Sequence, residues 1–198
     1  MLTNYHCLYC QKKIDRYTLY SLYIEEDSLC LDCREKLNLK VRKFQIDDCK
    51  AEYLYDYNSL FKSILLQYKE CYDEALYICF LYKIDIYLYL KYWNYQILYV
   101  PSTKTKIKER GFNHLKLIFE QLGLKEVNGL KMKEEIIQKG KSVADRQKMI
   151  NNYYYEGSFI KRLLIVDDVY TSGSSLKGVL KAMKGHYKKV KIVLLSRA

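Results

Sequence analysis

Two groups of residues in this 198-residue chain have types and spacing suited to chemistry. The first is sulfur. Cys7-Leu8-Tyr9-Cys10 and Cys30-Leu31-Asp32-Cys33 are two CxxC turns separated by 19 residues. Each turn can present two thiolates to one tetrahedral cation, and an intervening segment of about 15 to 20 residues forms the hairpin that brings the turns together. Structural Zn2+ is the expected ligand, because four thiolates leave no position for a catalytic water. Two disulfides, or idle thiols, are the alternative. The stretch Met1-Leu2-Thr3-Asn4-Tyr5-His6-Cys7 lacks both the basic and the apolar region of a secretion signal, so a cytoplasmic, reducing compartment is expected, which disfavours disulfides. Cys49, Cys71 and Cys79 read as small hydrophobes.

The second group is the run Leu164-Ile165-Val166-Asp167-Asp168-Val169-Tyr170-Thr171-Ser172-Gly173-Ser174-Ser175, two carboxylates joined to a turn rich in glycine and hydroxyls. Backbone N–H groups at a helix N-terminus, with the hydroxyls of Thr171, Ser172, Ser174 and Ser175, can wrap a phosphate, and Gly173 lets the backbone approach it closely. Asp167 and Asp168 can accept hydrogen bonds from two neighbouring sugar hydroxyls. The set fits a ribose 5-phosphate. An ordinary N-capped helix accounts for one hydroxyl, not for four, and not for two carboxylates at the exit of a strand.

These side chains need a scaffold, and the last third of the chain reads as one. An apolar strand ends at Asp168, residues 169–174 form a loop, residues 175–185 a helix and residues 190–195 another strand. Strands without polar alternation are buried on both faces, which favours a parallel sheet covered by helices, with ligands at the carboxyl ends of its strands. Upstream, Leu60, Phe61, Ile64, Leu65 and Tyr68 recur at helical spacing within residues 58–72, and a second helix is expected over 73–83. Residues 95–100 read as a buried strand stopped by Pro101. A loop carrying Lys104, Lys106, Lys108 and Arg110 then leads to a helix over 112–122, closed by Gly123, and a weak strand follows near 129–132. Arg110, read at the start of its helix, is placed to meet a phosphate, since the guanidinium fork and a helix N-terminus favour the same anion; an ion pair with Glu109 is the plainer reading. The cysteine-bearing piece ends soon after Cys33, residues 34–43 form a short helix or linker, and the next structured piece begins near 49–53.

Charge narrows the partners without naming one. The formal net charge is +11, divided as −1 over residues 1–99, +5 over 100–160 and +7 over 161–198. A half so basic attracts nucleic acid, an anionic membrane or a polyphosphate; a solvated lysine surface is the alternative. The 22 tyrosines read mainly as core or amphipathic residues, although aromatics among lysines also suit single-stranded nucleic acid. Apolar runs fall far short of the roughly 20 residues of a membrane span, so none is expected.

The two-acid, hydroxyl-turn segment resembles the phosphoribosyl pyrophosphate (PRPP) motif of type I phosphoribosyltransferases. Val100-Pro101, then Glu109-Arg110-Gly111-Phe112-Asn113, then Gln138, Arg146, Asn151 and Phe159, together with the two CxxC pairs, look like the ComF family. The resemblance implies an α/β fold, a type I phosphoribosyltransferase-like parallel sheet flanked by helices over residues 47–198, with a small four-Cys zinc finger over 1–46. It implies that Asp167 and Asp168 hold the ribose hydroxyls, that Val169, Tyr170, Thr171, Ser172, Gly173, Ser174 and Ser175 hold the 5-phosphate with help from Arg110, and that Mg2+ accompanies the pyrophosphate. It further implies a part in natural transformation, with single-stranded DNA and a ComFA-like helicase as partners. Three competing functions follow: a PRPP-binding competence protein, an active phosphoribosyltransferase on an unidentified acceptor, or a zinc-containing adaptor. His114 stands where the family often has Gln, and Lys131 and Lys133 stand where it often has Arg.

Overall fold

The computed structural model describes residues 5–14, 27–133, 147 and 150–198. Gln138 and Arg146, named in the family comparison above, lie outside the described residues. The fold is α/β. A five-stranded sheet in the order β3-β4-β9-β8-β5 forms its centre, from β3 (Leu39–Ile46), β4 (Cys49–Asp56), β5 (Gln96–Tyr99), β8 (Ile160–Tyr170) and β9 (Tyr187–Arg197). Its pairs are parallel except β3 with β4, so the sheet is mixed with one antiparallel edge. Leu163, Leu164, Ile165 and Val166 in β8 and Ile192, Val193, Leu194 and Leu195 in β9 are all buried, the pattern of strands covered on both faces. The chain enters this sheet at Leu39, ahead of the boundary expected after residue 46.

Helix α2 (Ser59–Glu70) follows β4, capped by Asn58, whose side chain accepts from the Phe61 amide at 2.8 Å. Its inward face, Phe61, Ile64, Leu65 and Tyr68, is buried, and rings of Tyr55, Phe61, Phe80 and Tyr68 pack in succession with centroids 5.6 to 6.1 Å apart. Each such side chain contributes about 1.5 to 3 kcal/mol by leaving water. The helix expected over 73–83 is broken into a 3-10 turn (Glu74–Tyr77) and α3 (Ile78–Leu81). Arg34 Nη1 donates to the Cys79 carbonyl at 2.8 Å and Tyr55 Oη to the Phe80 carbonyl at 2.7 Å, diverting acceptors that a continuing helix would use. Helix α4 (Asp85–Tyr92) then leads into β5.

The loop expected before Gly111 is a helix, α5 (Lys104–Arg110), capped by Thr103 and ended by Gly111 at φ 88°. Arg110 is therefore the last residue of α5, not the first of the next helix. That helix, α6 (His114–Phe119), starts from its own cap, Asn113, and closes in a 3-10 turn (Glu120–Leu122). Strands β6 (Leu130–Met132) and β7 (Tyr153–Tyr155) form a small antiparallel ribbon. The βαβ unit is present as β8, α7 (Ser174–Met183) and β9, with β8 running two residues past Asp168. At the amino end, β1 (Tyr5–His6) and β2 (Lys13–Ile14) pair across the first CxxC turn, and the second leads into α1 (Leu31–Leu37).

Candidate functional site

Two constellations emerge, and the smaller is the cysteine cluster. Its four sulfurs, from Cys7, Cys10, Cys30 and Cys33, lie within 4.8 Å of one another. The Leu8 amide donates to the Ser28 carbonyl at 2.9 Å, tying the two turns together. Burial pushes the Cys7 thiol up, but amides of Cys10, Cys30 and Tyr9 directed at its sulfur outweigh that and bring it down to about 7. Four convergent sulfurs with a stabilised thiolate fit a metal ion of the soft or borderline kind. The lobe is anchored to the main fold by the Tyr9 hydroxyl on Ser63 Oγ at 3.1 Å and by Arg34, which also grips Asp27 through two nitrogens at 2.6 and 2.5 Å.

The larger constellation lies at the carboxyl ends of β5 and β8, where a cavity of about 630 Å3 opens. Of the residues singled out in the sequence, Asp167, Asp168, Val169, Thr171, Ser175 and Arg110 line it. Tyr170, Ser172, Gly173 and Ser174 do not. The Tyr170 ring packs edge-on to Phe44 of β3, with centroids 5.6 Å apart. It also fills the space a side chain at residue 173 would need: a Cβ built on Gly173 falls 2.5 Å from that ring. With φ at 70°, Gly173 is required on both counts, and it starts α7. Ser172 Oγ and Ser174 Oγ are 3.0 Å apart and hold the turn's shape.

Asp168 is the most heavily engaged group. Its Oδ2 accepts from Lys69 Nζ at 2.5 Å and from His114 Nε2 at 2.7 Å, and its Oδ1 from the Val169 amide at 2.6 Å. Burial alone would raise its carboxyl, but the Lys69 ammonium and the His114 hydrogen bond prevail and hold it well below the usual carboxylate range. Asp167 has the opposite character: burial, then the charge of Asp168 beside it, push it up to about 8. Burial also lowers His114, against the pull of Asp168, so the imidazole is neutral near pH 7. Bound to an anion through Nε2–H, it leaves Nδ1 to accept from Ser102 Oγ at 3.3 Å. Tyr68 Oη donates to the His114 carbonyl at 2.8 Å and fixes the start of α6.

Arg110 is 7% exposed, and its Nε donates to the Lys69 carbonyl at 2.9 Å. Its Nη1 is buried with no hydrogen-bond partner among the described residues. A buried guanidinium nitrogen left unpaired beside a cavity is a feature that an anion would satisfy. Lys69 and His114 were not singled out as site residues. Lys69 sits in the last turn of an amphipathic helix, where a lysine is ordinary, and only the 99-residue separation from Asp168 closed by the fold reveals it. The caps Thr103 and Asn113 were legible signals, and each correctly read places Arg110 and His114 at helix ends facing the cavity.

No family model matches the chain. It is similar to the competence protein ComFC of Streptococcus pneumoniae strain R6, with 26% identity over 133 residues, covering 66% of this chain and 60% of that protein. The chain thus spans about 60% of the length of the curated relative it matches. Its two CxxC turns, gathered into one cluster, and its mostly parallel sheet stand beside this similarity to ComFC.

Proposed function

We propose that this chain acts in natural transformation, binding PRPP or a related phosphoribosyl ligand in the cavity at the ends of β5 and β8 and handling incoming single-stranded DNA. The observation that carries the reading is that Asp167, Asp168, Thr171 and Ser175, from the carboxyl end of a parallel strand and the turn after it, line one cavity with Arg110 of α5. Asp167 and Asp168 would orient the ribose hydroxyls; the turn from Val169 to Ser175 would receive the 5-phosphate at the start of α7. Arg110, with its unpaired Nη1, and Lys69 would meet further phosphate oxygens. Among the described residues the one cluster of three or more His, Cys, Asp or Glu donors is the cysteine cluster; Asp168 Oδ2 accepts from Lys69 and His114, while Oδ1, with one bond from the Val169 amide, keeps a lone pair for a ribose hydroxyl. Mg2+ is proposed as a companion of the ligand's pyrophosphate. Zn2+ is the metal proposed for the four cysteines, in a lobe ahead of β3, with the phosphoribosyltransferase-like domain taking in the sheet from Leu39 onward.

The similarity to ComFC supports the competence role, and the charge of +7 over residues 161–198 supports contact with single-stranded DNA, alone or beside a ComFA-like helicase in the cytoplasm. Counterion release makes such contact salt-dependent, so single-strand affinity should fall steeply between about 50 and 200 mM salt; an affinity indifferent to salt would remove the electrostatic part. A transferase reading draws on Met132 and Tyr153 of the ribbon β6–β7, an apolar and an aromatic side chain that line the cavity with the polar Asn152. Pyrophosphate release from PRPP with a panel of acceptors tests it, and its absence with every acceptor would leave binding alone.

A further inference from the structure

Helix α4 is apolar on both of its sides. Ile84, Leu88 and Tyr92, four residues apart, face the core, where Tyr92 Oη donates to Glu52 at 2.7 Å. The opposite side carries Ile86, Tyr89, Leu90 and the capping Trp93, which are 68, 48, 67 and 64% exposed. A surface helix normally turns polar residues outward; spacing of i, i+3, i+4 and i+7 here repeats an inward-facing pattern on the outer face. With the half-exposed Tyr87, the stripe offers roughly 500 Å2 of apolar surface, toward the upper end of what a monomer leaves open.

Charge argues for what covers it. The chain carries +11, yet Ile86, Tyr87, Tyr89, Leu90 and Trp93 bring no charge to the stripe, and the ammonium of Lys91 in the same helix is taken by Glu52 at 2.5 Å and by the Tyr87 hydroxyl at 2.8 Å. Two copies of this chain repel across their lysine-rich surfaces but not here. A polyanion has little to bind on the stripe. The spacing agrees: Ile86 with Leu90, and Tyr89 with Trp93, form two i, i+4 rows, the rows that interdigitate when identical helices cross at about −50°. Under a two-fold axis each ridge meets its symmetry mate, so one stripe is complementary to itself. Two copies would bury roughly 1,000 Å2 of apolar surface, at the threshold for a specific interface before the polar rim is added.

We propose that the outer face of α4 is the contact between two copies of this chain in a two-fold dimer. No α4 residue lines the 630 Å3 cavity, so the dimer and the ligand-binding reading stand or fall separately. Trp93 is the single tryptophan of the chain and reports on the contact directly.

The test is sedimentation velocity over a range of concentrations on the full chain, with tryptophan emission read in parallel, for the wild type, Leu90→Glu and Phe159→Glu. Phe159 is also exposed, at 62%, but lies outside α4 and serves as the control. The wild type should approach twice 23.8 kDa as concentration rises, with emission moving to shorter wavelength as Trp93 is covered. Leu90→Glu should weaken association by about thirtyfold or more, with unchanged circular dichroism, as expected for a central apolar contact. Phe159→Glu should associate like the wild type. A wild type that stays monomeric with constant emission overturns the proposal. So does a dimer that survives Leu90→Glu.

Discussion

The ammonium of Lys69 lies 2.5 Å from Asp168 Oδ2, across 99 residues of chain, and its own backbone carbonyl accepts from Arg110 Nε at 2.9 Å. One residue thus joins the acidic pair to the buried guanidinium. Asp168 is held ionised by these partners, while Asp167 Oδ1 accepts from the Asp168 amide, and the pair keeps acceptor sites for a ligand.

Removing the Lys69 charge should therefore be costly. Lys69→Met leaves a buried carboxylate short of its cation and should destabilise the fold by about 3 kcal/mol in urea unfolding. Adding Asp168→Asn should recover a large part of that loss, because the two act as one unit. Losses that simply add would contradict the pairing.

The acidic pair gives stability opposite pH dependences. The folded-state value of Asp167 is raised to about 8 from 3.8, so between these pH values the folded chain holds a proton that the unfolded chain has lost, and raising the pH through that window destabilises. Asp167→Asn should gain stability relative to the wild type as pH rises from 5 to 8, by at most about 1.4 kcal/mol per pH unit. Asp168 is lowered, so its contribution is present at neutral pH and lost as pH falls below the ordinary carboxylate value. Thermal melts of both Asn variants against pH check the signs; parallel curves for Asp167→Asn and wild type would refute the first.

Much of this was legible from the sequence because the signals were local. The CxxC spacing, the apolar strand ending at Asp168 and the glycine-led turn each follow from neighbours in the chain. The helical reading of 58–72 survived because Asn58 and the Phe61–Tyr68 face agree. The break at Glu74–Leu81 was invisible, since it depends on Arg34 and Tyr55 reaching carbonyls 25 to 45 residues away. Arg110 was misplaced because the Thr103 and Asn113 caps were overlooked among the lysines, and Lys69 because its partner is distant.

The turn should tolerate no side chain at residue 173. Gly173→Ala meets both a φ of 70° and the Tyr170 ring, so a stability loss of at least about 1 kcal/mol is expected. Pairing it with Tyr170→Ala should return the steric share and leave the backbone share. Full recovery would mean the positive φ carries no cost.

Metal content is the check on the cysteines. One Zn2+ per chain should be found, and chelation should lower the melting temperature, because Cys7 and Cys33 are buried with Leu29 and Leu37 in the core. Cys30→Ser should weaken metal binding without altering ligand binding at the cavity. An unchanged melt after complete metal removal would show that the lobe is held by its protein contacts alone.

The central claim is tested most directly by calorimetric titration of the metal-loaded chain with PRPP, with and without Mg2+, beside folded Asp167→Ala and Arg110→Ala variants. Micromolar binding by the wild type, weakened at least about tenfold in both variants, is the predicted result. A well-folded wild type that binds no PRPP, or an Asp167→Ala variant that binds it equally well, would contradict the account.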